Sequence, residues 1–150
     1  PRLVFMDDPT GALDGSVHAR LLDLLRGLAR DRGLSVIIVT HDLAVVRHIS
    51  HRIAIMYAGK IVELADRDEL YLRPLHPYTQ ALLSAVPVPD PRIQRTRRRI
   101  TFAGEPPDPL KPPPGCRFQS RCPHRTGQCR LEEPPFDDRG GGHWVACWNI

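Results

Sequence analysis

Two adjacent carboxylates, Asp7 and Asp8, close the apolar run Leu3–Met6, and a histidine, His41, closes a second apolar run, Leu34–Thr40. Four cysteines, Cys116, Cys122, Cys129 and Cys147, lie in the other half of the chain with 5, 6 and 17 residues between them. Like charges side by side at the edge of an apolar segment are costly unless each finds its own partner. A divalent cation for one and a water awaiting activation for the other are partners that suit such a pair. A single acid pair after a strand is more commonly a turn or a helix cap, and a single histidine at a strand end is more commonly a surface residue. Their order and spacing in one chain turn them from punctuation into a candidate site.

Both runs need elements to position them. "LVFM" and "LSVIIVT" read as short, buried parallel strands. Between them Val17, Leu21, Leu24, Leu25 and Leu28 recur at helical spacing, so residues 15–33 read as a helix with that apolar stripe. Asp14 or Ser16 caps its start and Gly33 follows its end. Strand, helix and strand within about 40 residues make one parallel βαβ unit. Ligands of such sheets lie beyond the carboxyl ends of the strands, where Asp7, Asp8 and His41 fall. Further on, "HDLAVVRHIS" reads as a short helix with Leu43, Val45 and Val46 inward. "RIAIMY" and "KIVELA" read as a hairpin turning at Ala58-Gly59, and "DRDELYLRP" and "HPYTQALLSAV" as two short helices.

The strand with its two acids, the "PTGALD" that follows and the "VIIVTHDL" one helix later resemble the nucleotide-binding subunit of an ABC transporter. That resemblance implies the C-terminal half of a P-loop ATPase parallel sheet, with ATP and Mg2+ as cofactors. Asp7 would be the magnesium-shell carboxylate, Asp8 would hold the general-base position and His41 would be the switch histidine on the γ-phosphate. Asp14, in "GALD", would belong to the loop that crosses an ATPase dimer interface. Two departures stand out. The usual glutamate at the base position is Asp8, shorter by one methylene, which predicts slower hydrolysis. No G-x-x-x-x-G-K-[ST] loop, Gln-loop or LSGGQ-like signature occurs, so these 150 residues alone are expected not to hydrolyse ATP. The start at a core strand without Met suggests a C-terminal fragment.

The cysteines lie in Pro- and Gly-rich sequence with few large apolar residues, so metal ligation would supply stability that a core cannot. Spacings of five and six lack the close C-x₂₋₄-C pairs of zinc sites and suit four thiolates arriving from separate loops on an iron–sulfur cluster. His124 or His143 as substitute ligands keep zinc open, and free buried thiols are the bland alternative. "PLHPYTQALLSAVP" followed by the quartet resembles the C-terminal extension of oligopeptide/dipeptide importer ATPases, which implies a [4Fe-4S] cluster on Cys116, Cys122, Cys129 and Cys147. The remaining histidines, His18, His48, His51 and His76, read as ordinary surface or interface residues.

Composition divides the chain. Residues 1–86 balance ten basic against ten acidic residues, whereas 87–150 carry eleven basic and seven acidic, which accounts for the whole net charge of +4. Twelve of the 16 prolines lie there too. The expected organisation is therefore an ATPase part over 1–86, a Pro/Arg-rich linker over 87–115 and a cysteine-rich extension over 116–150. The arginine run "RIQRTRRR" has no interleaved aromatic residue, so nucleic acid is not an expected partner. No apolar run approaches a membrane span. The expected partners are a second ATPase subunit, identical or related, and transmembrane permease subunits, at the cytoplasmic face of the plasma membrane. The rival expectation is a non-catalytic metal- or cluster-binding remnant acting as a regulatory module.

Overall fold

The computed structural model describes residues 2–9, 15–87, 90, 92, 96 and 98–150, and it is mixed α/β. Asp14 and the rest of "TGALD" lie outside the described residues. The chain forms two compact units, divided between Ser50 and His51. This division differs from the compositional one near residues 86–87.

In the first unit, β1 (Leu3–Asp7) and β2 (Ser35–Val39) pair in parallel, from Leu3 against Ser35 to Asp7 against Val39. The crossover is α1 (Gly15–Arg32), after which Gly33 turns with a φ of +60°, the usual glycine exit from a helix. The inward face of α1 is centred on Leu22 and Leu25, both 6 % exposed. Val17, Leu24 and Leu28 are exposed, so the apolar stripe is rotated from the one expected. The strands differ from expectation as well. Val4, Met6, Val36 and Ile38 are half-buried on one face, while Leu3, Phe5, Ile37 and Val39 stand exposed on the other. A two-stranded sheet with helices on one side covers only alternate side chains. α2 (Leu43–Ile49) follows, with Val45 its one fully buried residue and Leu43 and Val46 half-buried.

In the second unit, β3 (Arg52–Tyr57) and β4 (Lys60–Asp66) form the expected antiparallel hairpin. Ala58 and Gly59 turn it with φ of +46° and +80°, both left-handed, as a two-residue hairpin turn of the strand-compatible type demands. α3 (Arg67–Leu72) and α4 (Pro77–Ser84) are the two expected short helices, α4 opening with Pro77 at its first position. The cysteine-rich extension contributes α5 (Gln128–Leu131), β5 (Asp137–Asp138) and β6 (Trp144–Val145). β6 pairs with β4, giving a sheet ordered β3-β4-β6-β5.

That pairing corrects the view of the extension as a segment without a core. Phe118 is 1 % exposed. Its ring lies 5.1 Å from Tyr57 and 4.9 Å from Phe102, both edge to face, and 5.5 Å from His76 and 5.6 Å from Tyr78, both tilted. The extension thus borrows a core from β3 and α4. Gly115 sits where a Cβ would meet the Cys129 carbonyl oxygen at 2.5 Å, so the chain passes close enough for the Cys116 N–H to donate to that carbonyl at 2.9 Å. Within the expected linker over 87–115, Arg92 and Thr96 are helical, whereas residues 98–115 have no helix or strand. They are anchored nevertheless, by Phe102 on Phe118 and by the Ile100 N–H donating to Ser84 Oγ.

Candidate functional site

The ends of β1 and β2 bring the predicted residues together. Asp7 is the last residue of β1, and its exposed side chain makes no hydrogen bond or ion pair among the described residues. Asp8 follows in left-handed backbone, φ +39°, with its N–H donating to the Val39 carbonyl at 2.7 Å. The turn, rather than continued strand alternation, therefore directs its carboxylate. Thr40 Oγ1 donates to Asp8 Oδ1 at 3.3 Å, and His41 Nδ1 lies 3.3 Å from Asp8 Oδ2. Both pairs span two parallel strands, and the His41 side chain is 82 % exposed. An open histidine against a carboxylate is held in orientation while its other ring nitrogen faces solvent.

Two neighbours complete this end of the sheet. Thr40 Oγ1 accepts the Asp42 N–H at 3.1 Å, and Asp42 caps α2 by accepting from the Ala44 and Val45 N–H groups at 2.8 and 3.3 Å. Thr40 is the residue that sequence reading missed. Its hydroxyl links the acid to the helix cap, and the "THD" triplet was the available signal. Chemically, the cluster offers two acceptor-only carboxylates and an exposed imidazole, a set suited to a hydrated divalent cation and a phosphate.

The histidine expectations are corrected in part. His48 is exposed and hydrogen-bonded to Arg26, and His51 is exposed. His76 is instead 1 % exposed, and its Nδ1 accepts the Tyr78 N–H at 3.1 Å as the cap of α4. Burial drives its pKa down to about 4, the Glu63 carboxylate opposing this in part. His143 is not free to bind metal, because its Nε2 lies 2.7 Å from Glu63 Oε1 in a fully buried pair. Glu63, 0 % exposed, also accepts the Leu75 N–H at 2.7 Å and the His76 N–H at 3.0 Å. Simple alternation along "KIVELA" turns Glu63 outward. A bulge at Ile55/Met56 brings it onto the face of Ile53 and Ile55.

The four thiols are all free, with Cys129 and Cys147 buried. Among the described residues no three His, Cys, Asp or Glu side chains are grouped to hold a metal ion, so the expected iron–sulfur or zinc ligand set is not formed. His124, the other substitute ligand, is exposed. The thiols do sense one another. Burial first, and then Cys129, Cys147 and Cys122, push Cys116 up to about 11. Cys122 and Cys147 are also raised, chiefly by burial. Cys129 is lowered, because the Thr126 hydroxyl and N–H and the Asn149 amide, 3.4–3.5 Å from its sulfur, outweigh its burial.

The likeness to ABC-transporter ATP-binding subunits read from the sequence is matched by comparison with known proteins. Residues 62–129 match the oligopeptide/dipeptide transporter C-terminal region. The chain is 49 % identical over 98 % of its length to a probable peptide ABC transporter ATP-binding protein of Sinorhizobium fredii, covering 41 % of that protein. It is 45 % identical over its full length to the oligopeptide transport ATP-binding protein OppF of Escherichia coli, covering 45 % of it. It is 46 % identical to the dipeptide transport ATP-binding protein DppF of the same organism, covering 44 %. Along its length the chain is thus similar to ATP-binding proteins of oligopeptide/dipeptide transporters, and it spans a little under half the length of these relatives.

Proposed function

We propose that this chain forms the Walker B and switch-histidine part, together with the C-terminal extension, of an ATP-binding subunit that couples ATP hydrolysis to peptide import. The observation that carries this is the meeting of Asp8 and His41 across β1 and β2, 3.3 Å apart, beside the exposed Asp7. Asp7 would hold Mg2+, Asp8 would accept a proton from the attacking water and His41 would contact the γ-phosphate. When bound, the nucleotide would supply the electrophilic phosphorus and Mg2+ would draw charge from its oxygens. The residues here orient water and carry its proton. Asp14 is proposed to reach a second ATPase subunit.

The bare face carrying Leu3, Phe5, Ile37 and Val39 supports a parallel sheet that continues in the whole subunit. The functional partition proposed is 1–86 for the ATPase part, 87–115 for the linker and 116–150 for the extension. Among the described residues no helix is long and apolar enough to cross a membrane; the likeness to transport ATP-binding proteins is what supports a peripheral subunit working with transmembrane permeases on the cytoplasmic side.

The test is a chimera in which this chain replaces the matching 45 % of Escherichia coli OppF. It should hydrolyse ATP, whereas the 150 residues alone should not. Asp8→Asn should lower turnover at least about 100-fold, and Asp8→Glu should raise it. Turnover indifferent to Asp8→Asn would sink the reading.

A further inference from the structure

Between Arg92 and Arg130 the chain holds ten basic residues and two acids, a balance of +8 against +4 for the whole. Two adjoining cavities, of about 280 and 420 Å³, open in this segment and share Thr101 and Arg121. The smaller is walled by apolar groups, among them Ala81, Leu82 and Phe102, and it includes Arg99. The larger is polar, with Ser120 and Arg125 beside Thr101. Among the described residues no acidic side chain lines either one.

Arg121 is half-buried, and its guanidinium carbon lies 5.9 Å from the Phe102 ring centroid. Its Nε is buried and finds no hydrogen-bond acceptor among the described residues. Leaving such a donor unpaired is expensive, and a charged donor more so. Arg99 and Arg125 form no ion pair among the described residues. Arg121 lines both cavities and Arg125 lines the larger. Planar guanidinium forks match the oxygens of a phosphate, and stacking on an aromatic ring fixes one of them in advance.

We propose that Arg99, Arg121 and Arg125 form a phosphate cradle where the apolar and polar cavities join. It takes a phosphate ester whose apolar part lies against Leu82 and Phe102. The ester is either a phospholipid headgroup or a soluble phosphate, and the site is independent of the ATPase reading above.

Two measurements on the intact chain test it: the Arg121 Nε–H resonance during titration with inorganic phosphate, and retention on vesicles of phosphatidylcholine with or without phosphatidylglycerol. The cradle predicts a saturable phosphate-dependent shift. Retention on the phosphatidylglycerol vesicles in addition identifies a lipid headgroup, and its absence beside that shift identifies a soluble ester. Arg121→Gln and Arg125→Gln should each weaken binding about fivefold. Lys111→Gln, outside both cavities, should leave it unchanged. Arg125 is exposed, so its variant keeps the test valid even where Arg121→Gln perturbs folding. An Arg121 resonance indifferent to phosphate, or equal losses for Lys111→Gln and Arg121→Gln, would overturn the proposal.

Discussion

Residues 2–50 and residues 51–150 both alternate strands with helices, yet only the second unit closes its core. In the first, Leu3 and Phe5 are 53 % and 64 % exposed, and among the described residues the buried side chains are three, Leu22, Leu25 and Val45. In the second, Phe118, Leu70, Val145 and Ala65 are 0–1 % exposed, and a carboxylate and two imidazoles are buried with them. The difference lies in what covers each sheet. β1 and β2 have helices against one face, whereas β3 and β4 are capped by α3 and α4 and extended by β6 from the far end of the chain. The candidate chemistry sits on the open unit and the stability on the closed one, as expected where function needs exposed groups and packing holds them in place.

The contrast can be broken at its largest point by Phe118→Ala. It removes the ring shared by Tyr57, His76, Tyr78 and Phe102 and should cost about 4 kcal/mol in chemical denaturation of the second unit. Hydrogen exchange in α1 should be unaffected. Equal loss of protection in both units would refute the division. Next, Glu63→Ala leaves the buried His143 and two backbone N–H groups without their acceptor, and about 3 kcal/mol should be lost. A double-mutant cycle with His143→Ala would isolate the pair, and a coupling energy near zero would contradict the geometry.

Acid should act on the same unit. His76 has its pKa lowered to about 4 in the fold, below the unfolded value of 6.5. The unfolded chain therefore binds the extra proton first. The contribution is fully present above about pH 6.5 and is lost as the pH falls toward about 4, amounting to about 2 kcal/mol by about pH 5. His76→Asn keeps a capping acceptor without titrating, so its melting temperature should vary less over that window than that of the unaltered chain. A smaller effect belongs to the open unit. Asp42→Ala removes the cap of α2 and should cost about 1 kcal/mol, read as faster amide exchange at Ala44 and Val45.

The sequence made the local architecture legible where one signal dominated. The apolar runs, the Ala58-Gly59 turn and Pro77 each located an element correctly, and the "DD" and "THD" motifs marked residues that the strand ends bring together. What stayed hidden depends on distant partners. Alternation along β4 gave no sign that a bulge turns Glu63 inward, and spacing alone could not show that His143 meets it 80 residues later. The exposed faces of β1 and β2 misled in the opposite sense, because β-branched composition reports what a strand is built to pack against, whether or not that partner is in the same chain.

Asp8 shows how one backbone angle constrains a chemical role. Its φ of +39° lies in a region that short polar side chains tolerate far better than most, because they can bond to the chain around them. The carboxylate proposed as the base is thus also the residue that lets the strand end in a tight bend toward Val39. Lengthening it by one methylene alters two things together, the reach toward water and the ease of the bend. Kinetics of Asp8→Glu and Asp8→Asn, set beside their folding stabilities, would therefore weigh a turn against a proton transfer at one position.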